Sequence, residues 1–131
     1  MIFVDTGAWF ACVVPTDPDH KAATAWLEAN ASPLLTTDHV VDETLTLLRA
    51  RGERTRALVL GRKFFRSELA EVHKLTAADI ALAWQVFEGF ADKNWSFTDC
   101  TSKVLIEQSH IAQAFAFDHH FEQFGNVEVV P

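Results

Sequence analysis

An α/β domain built on a mostly parallel sheet is the fold class this sequence predicts, and three observations predict it. Short apolar runs alternate with longer amphipathic stretches in the order β-α-α-β-α-α-β-α-α-β-β, with only a short turn between the last two strands. Acidic residues stand where predicted strands end or helices begin: Asp5, Glu43, Asp99 and Asp118. No internal repeat, low-complexity tract or linker interrupts the 131 residues, so a single unit spanning 1–131 is expected.

The first strand is Ile2 to Asp5, followed by a short helix from about Thr6 to Val14 that Pro15-Thr16-Asp17-Pro18 breaks. A helix around His20 to Asn30 carries Ala23, Trp26 and Leu27 at i, i+3, i+4. Ser32-Pro33 then turns the chain into a strand, Leu34 to Thr37. Thr37 or Asp38 caps the next helix, which runs to about Arg51 and ends at Gly52. Its apolar stripe is Val41, Leu45 and Leu48. Glu43 falls beside Val40 and Leu47, at the edge of that face, whereas Asp42 neighbours Thr46 and Arg49 on a more solvated side. Glu43 is therefore the candidate ligand of the two.

A helix over roughly Glu53 to Ser67 follows, and Leu69 to Leu75 alternates as a half-exposed edge strand should. Thr76-Ala77-Ala78-Asp79 has the register of a capping box, so Asp79 reads as a cap rather than a catalytic acid. Ile80, Ala83, Trp84 and Phe87 make the stripe of the helix that it starts. Asn94 to Phe97 reads as a loop, with Thr98 capping the helix that carries Asp99. The strand Ala114 to Phe117, closed by Asp118, and a short strand at Val127 to Val130 finish the chain.

Composition sets the broad class. A hydrophobic fraction of 49% with 11 Phe and 4 Trp supports a folded core, and 22% charged residues argue against disorder. No apolar run approaches the roughly 18 residues of a membrane helix, and nothing resembles a signal peptide. Cys12 and Cys100 lack any CxxC spacing and read as free thiols. A soluble, cytoplasmic protein is expected. The net charge of −7 is unevenly spread: residues 49–66 hold Arg49, Arg51, Arg54, Arg56, Arg62, Lys63 and Arg66 against Glu53 alone. This stretch carries +6, enough to grip a phosphate backbone, or simply to solvate a helical face.

The four acids carry the chemistry. In an open α/β sheet, ligands bind beyond the carboxyl ends of the strands. Carboxylates converging there without a Lys or Arg beside them repel one another and call for a cation. Mg²⁺ or Mn²⁺, which prefer oxygen ligands, are the natural choices, and they point to an enzyme acting on phosphates. Asp5-Thr6-Gly7 also matches the aspartic-protease triplet, but those proteases are all-β. A phosphotransfer receiver or haloacid-dehalogenase-type phosphatase places an Asp after its first strand as well. The phosphatase pattern wants Asp-x-Asp where this chain has Gly7, and both families use a late Lys, whereas no Lys follows Lys103. His39, His110, His119 and His120 read as surface or supporting residues, and Cys100 as a packing residue.

Phe3-Val4-Asp5-Thr6-Gly7-Ala8, Thr37 to Thr44, Ser96 to Ser102 and Ala116 to Phe121 occur in an order and spacing that resemble the PIN-domain ribonucleases, and among them the VapC toxins of toxin–antitoxin pairs. The resemblance covers residues 3 to 121. It implies a three-layer domain with a five-stranded sheet flanked by helices. It places the acidic quartet on Asp5, Glu43, Asp99 and Asp118, with Asp5, Asp99 and Asp118 as metal ligands and Thr6, Thr98 and Thr101 in support. It further implies a Mg²⁺ or Mn²⁺ cofactor and an RNA substrate, tRNA or rRNA ahead of mRNA, for which Arg49, Arg51, Arg54 and Arg56 of the basic stretch are the candidate backbone grip. The implied partners are a VapB-like antitoxin, seated on a groove where Trp9, Phe10 and Trp26 are candidates, and a second copy in a homodimer. A PIN-fold protein that binds RNA or a partner without cutting is the non-enzymatic alternative.

Overall fold

The computed structural model describes residues 1–131. Its five strands are β1 (Ile2–Val4), β2 (Leu34–Thr37), β3 (Glu71–His73), β4 (Gln113–Phe115) and β5 (Glu128–Val130). They form one sheet in the order β3-β2-β1-β4-β5, and every pairing is parallel. Six helices join them: α1 (Thr6–Val13), α2 (His20–Ala29), α3 (Asp38–Ala50), α4 (Arg54–Phe65), α5 (Ala77–Gly89) and α6 (Phe97–Gln108). Between β4 and β5 the expected short turn is a 3-10 helix, His119–Phe124. No helix is long and apolar enough to cross a membrane.

The strand order explains where a site can form. From β1 the chain moves outward to β2 and β3, then returns to the other side of β1 for β4 and β5. The order therefore reverses between β1 and β4, and the carboxyl ends of those two strands flank the crevice that such a reversal opens. Asp5 follows β1 directly, its N–H continuing the ladder to Phe115 O at 3.1 Å, and Asp118 lies three residues beyond β4. Both acids stand at the switch point.

The central strands are apolar on both faces because helices cover both. Phe3, Val4 and Phe115 are fully buried, and Phe121 of the 3-10 helix stacks on Phe3 at 6.0 Å between centroids. Truncating a Phe in such a core costs about 3–5 kcal/mol. The edge strand β3 is shorter than the alternation from Leu69 to Leu75 suggested, and its outer residues are partly exposed, which blunts an open sheet edge.

Two local expectations change. The helix bearing Asp99 is capped two residues before Thr98: Ser96 is its cap, accepting from Asp99 N at 3.0 Å, while Asp99 Oδ2 accepts from Ser96 N at 3.0 Å. The reciprocal Ser-x-x-Asp pairing satisfies two backbone donors, which a lone Thr98 cap could not. Trp9, Phe10 and Trp26 do not share one groove: Trp9, though nearly buried, borders an apolar groove with Cys12, Val13 and Leu27, while Phe10 and Trp26 lie outside it. Phe10 is buried because α1 packs against α2 and α3 and nearly all of its residues face protein. Trp26 is half-buried, its ring 4.2 Å from that of Phe115.

Candidate active site

Asp5 is the centre of the site. It ends β1 and caps α1 through its backbone, its carbonyl accepting from Ala8 and Trp9 N at 3.1 Å, so its carboxylate is free of capping duty. The residue is only 4% exposed. Burial, then the charges of Asp99, Glu43 and Asp118, push its pKa up to about 8, and a hydrogen bond from the Thr6 backbone only partly offsets them. The other three acids chosen from the sequence therefore all lie close enough to act on Asp5 in the folded chain.

Each partner arrives from a different element. Glu43 stands in the second turn of α3, half-buried, while Asp42 beside it is exposed. Thr37 fixes the start of that helix by accepting from Val40 N at 3.0 Å. Asp99 is buried at the third position of α6, locked by the capping box, and its Oδ2 also meets His120 Nδ1 at 3.0 Å. With Oδ2 held by two donors, Oδ1 remains for a ligand. Asp118 caps the 3-10 helix, its Oδ1 accepting from His120 N at 2.9 Å and lying 3.3 Å from His120 Nδ1. It performs the turn role open to any Asp and still reaches the cluster.

His120 takes the supporting one of the two places the sequence left open to it, surface or support. Its Nδ1 faces carboxylate oxygens of both Asp99 and Asp118, so that nitrogen carries the proton and braces the two acids. His119 stays largely exposed, 3.5 Å from Asp118. The adjacent pair in the sequence hid this difference, because only the 3-10 helix turns one ring inward. Asp118, His119 and His120 also sit close enough to hold a transition metal among themselves.

The supporting threonines divide. Thr6 Oγ1 is buried beside Asp5 with no hydrogen-bond partner. Thr101 Oγ1 donates to Thr98 O at 2.6 Å and Ser102 Oγ to the same oxygen at 3.1 Å, which commits both hydroxyls to their own helix. Cys100 is buried next to Asp99, and burial followed by that charge pushes its thiol up to about 11, so it is no nucleophile. Asp79 lies outside the cluster in a second capping box, as expected of it.

An all-oxygen donor set, a carboxylate destabilised by its neighbours and an orphaned hydroxyl fit a hard divalent cation. No Lys or Arg is bonded to any of the four acids.

The arginines lie elsewhere. α3 and α4 form an antiparallel hairpin, and Arg49, Arg51, Arg54 and Arg56 gather, all exposed, around its tip at Gly52. Along the helix axis Arg49 is about 9 Å and Arg51 about 12 Å from Glu43, at 1.5 Å per residue. Arg56 is also paired with Glu53.

Residues 2–127 match the PIN domain family. This chain is a PIN domain. It is 34% identical over 131 residues to the 23S rRNA-specific endonuclease VapC20 of Mycobacterium tuberculosis, covering 100% of this chain and 99% of that protein. The crystal structure of M. tuberculosis VapC20, described as a sarcin-ricin loop cleaving toxin, superposes with a TM-score of 0.92 at 33% identity, both chains covered in full. FitAcB from Neisseria gonorrhoeae, with a TM-score of 0.68 at 15% identity, shares the fold over 100% of this chain and 97% of its own. A toxin-antitoxin complex from Klebsiella pneumoniae does so at 0.65 and 12%, with the same coverage. The PIN fold accounts for the all-parallel sheet and for the crevice in which the acids meet.

Proposed function

We propose that this PIN domain is a Mg²⁺- or Mn²⁺-dependent endoribonuclease, the toxin of a toxin–antitoxin pair, that hydrolyses a phosphodiester in structured RNA. The observation that carries the reading is Asp5: a buried carboxylate raised to about 8 by burial and three converging acids is a poor structural residue and a good metal ligand. The full-length kinship to VapC20 supports RNA as substrate and 23S rRNA as the target class, ahead of tRNA.

Asp5, Asp99 and Asp118 would hold the cation, with Glu43 completing the set directly or through water. A divalent ion so bound polarises the scissile phosphate and lowers the pKa of a water towards neutrality. The protein's own part is positional. The capping box fixes Asp99, His120 braces Asp99 against Asp118, and Thr6 keeps a buried, unpartnered hydroxyl next to Asp5. Burial of Asp5 excludes bulk solvent from the side where the ion binds. Arg49, Arg51, Arg54 and Arg56 at the hairpin tip hold the RNA backbone away from the cut.

A VapB-like antitoxin fits the apolar groove of about 370 Å³ between α1, α2 and α4, lined by Cys12, Val13, Leu27, Val59 and Leu69, with Arg56 and Lys63 at its rim. The groove's α1 residues Cys12 and Val13 lie in the last turn of that helix, about 10 Å along the axis from Asp5 at 1.5 Å per residue. A homodimer and a cytoplasmic location complete the reading.

The test is incubation of metal-stripped protein with total cellular RNA, with and without Mn²⁺ or Mg²⁺, beside Asp5→Ala. A discrete metal-dependent fragment, absent with the variant and mapped by its ends to 23S rRNA, is the expected result. Cleavage of tRNA alone would change the target. Tight RNA binding without cleavage would favour the non-catalytic alternative.

A further inference from the structure

Phe65 is 82% exposed, far more than any other large apolar side chain of the protein. One exposed Phe is ordinary on a protein surface. Its setting is not. Phe65 ends α4, Arg62 precedes it by three positions and Arg66 follows it, both exposed, and Arg66 has only a 3.9 Å approach from Glu68. Leu58, Arg62 and Phe65 stand at i, i+4 and i+7, one stripe on the flank of α4 away from the buried Leu60 and Phe64.

The hairpin brings this stripe towards the acids. Gly61 packs against Leu45, two residues past Glu43, where a Cβ on the glycine would meet Leu45 Cδ2 at 3.5 Å. Four residues on, the antiparallel course sets Phe65 near the level at which α3 begins. A chain of contacts agrees. Phe64 meets Trp9 edge-on at 5.0 Å, Trp9 Nε1 lies 3.5 Å from Thr36 Oγ1, and Thr36 Oγ1 donates to Val4 O at 3.0 Å, one residue before Asp5. The tip arginines sit at the far end of the same hairpin. The root of α4 therefore combines an aromatic face with two cations at the end of the molecule where the carboxylates converge.

We propose that Phe65, with Arg62 and Arg66, is a stacking platform for an unpaired base of the RNA substrate next to the scissile phosphate, the arginines holding the flanking phosphates. Substrate choice then rests on RNA whose bases can be splayed out, since loops expose π faces and duplexes hide them. A backbone grip alone would not distinguish the two. The inference rests on the ribonuclease reading and adds a specificity-determining contact to it.

The experiment is affinity of a labelled target-loop RNA for the full chain, with chelator present to prevent cutting, across a salt series. Phe65→Ala and Phe65→Leu should each weaken binding roughly 5- to 100-fold, as lost base stacking does. Phe65→Trp should bind at least as well as wild type. The salt slope should stay unchanged in the Phe65 variants and fall by about one in Arg62→Ala. Exposure of Phe65 makes misfolding no explanation for a loss. Wild-type affinity in Phe65→Leu would overturn the platform, and if cleavage persisted the nuclease reading would stand without it. A change in self-association at unchanged RNA affinity would also overturn it and give the face to a second copy of the chain. Failure of wild type to bind or cut RNA would remove both readings.

Discussion

Two helices of this protein begin in the same way and are put to different uses. α5 opens on Thr76-x-x-Asp79 and α6 on Ser96-x-x-Asp99, both complete capping boxes. Each Asp is buried, and each has a histidine nitrogen 3.0 Å from its Oδ2, His73 for Asp79 and His120 for Asp99. Locally the two are twins. They differ in what else arrives. Beside the edge strand β3, Asp79 meets only its cap and His73. At the switch point between β1 and β4, Asp99 acts on the charge of Asp5 and meets a histidine shared with Asp118. A motif supplies a rigid carboxylate, and topology decides whether it becomes part of a site.

The comparison breaks most sharply on cleavage. Asp99→Asn keeps the shape of the side chain and removes its charge, so RNA cutting should fall roughly 10²- to 10⁴-fold, the scale of a lost metal ligand. Asp79→Asn should cut within a few-fold of wild type. Equal losses in both, with both variants folded by circular dichroism, would mean that α5 also belongs to the site.

The next largest effect is on stability against pH. An acid raised to about 8 in the folded state, against about 4 unfolded, binds a proton on folding. Its contribution is full below about pH 4 and is lost as pH climbs towards 8. Metal-free protein should therefore lose on the order of a few kcal/mol across that window. Asp5→Asn should flatten the slope and exceed apo wild type in melting temperature at pH 8. Mn²⁺ should restore wild type by about 2.7 kcal/mol at 100 times its Kd and leave Asp5→Asn unmoved. A melting temperature indifferent to pH and to Mn²⁺ would count against the carboxylate cluster as a metal site.

Much of this was legible in the sequence, for identifiable reasons. Asp5 and Asp118 are found by following apolar runs to their ends, and Asp99 by the helix start. Glu43 is separated from Asp42 by helical periodicity alone, and the burial of the two agrees. What failed depended on tertiary geometry. Two adjacent histidines look alike until a 3-10 helix turns His120 inward. Phe10 looks like a groove residue until α1 proves covered on nearly every side, and of the aromatic candidates only Trp9 reaches the groove. The basic run from Arg49 to Arg66 reads as one patch, yet a hairpin folds it so that its two ends lie at opposite ends of α4.

The two histidines give a smaller test of the same contrast. His120 braces two proposed ligands, and losing such support typically costs 10- to 100-fold in metal affinity or activity. His120→Ala should do so while its melting temperature changes little. His73 touches only Asp79 and is about a third exposed, so His73→Ala should leave cleavage alone. Isothermal titration with Mn²⁺ separates the outcomes: equal affinities in wild type and His120→Ala would reduce His120 to packing.

The smallest effect is the most diagnostic of role. The Thr76 backbone N–H, then His73, hold the Asp79 carboxyl below its usual range. A lowered acid stabilises above its unfolded pKa near 4, and the contribution disappears as pH falls through its folded value. The slope is opposite in sign to that of Asp5. Asp79→Ala should thus cost about 1 kcal/mol at pH 7, a cap's worth, and almost nothing in strong acid. At pH 7 that amounts to a few degrees of melting temperature in a chain this long. A carboxylate that supports the fold at neutral pH is one the protein keeps for its architecture. One that weakens the fold at neutral pH, as the raised pKa of Asp5 predicts, is a group kept for what binds to it.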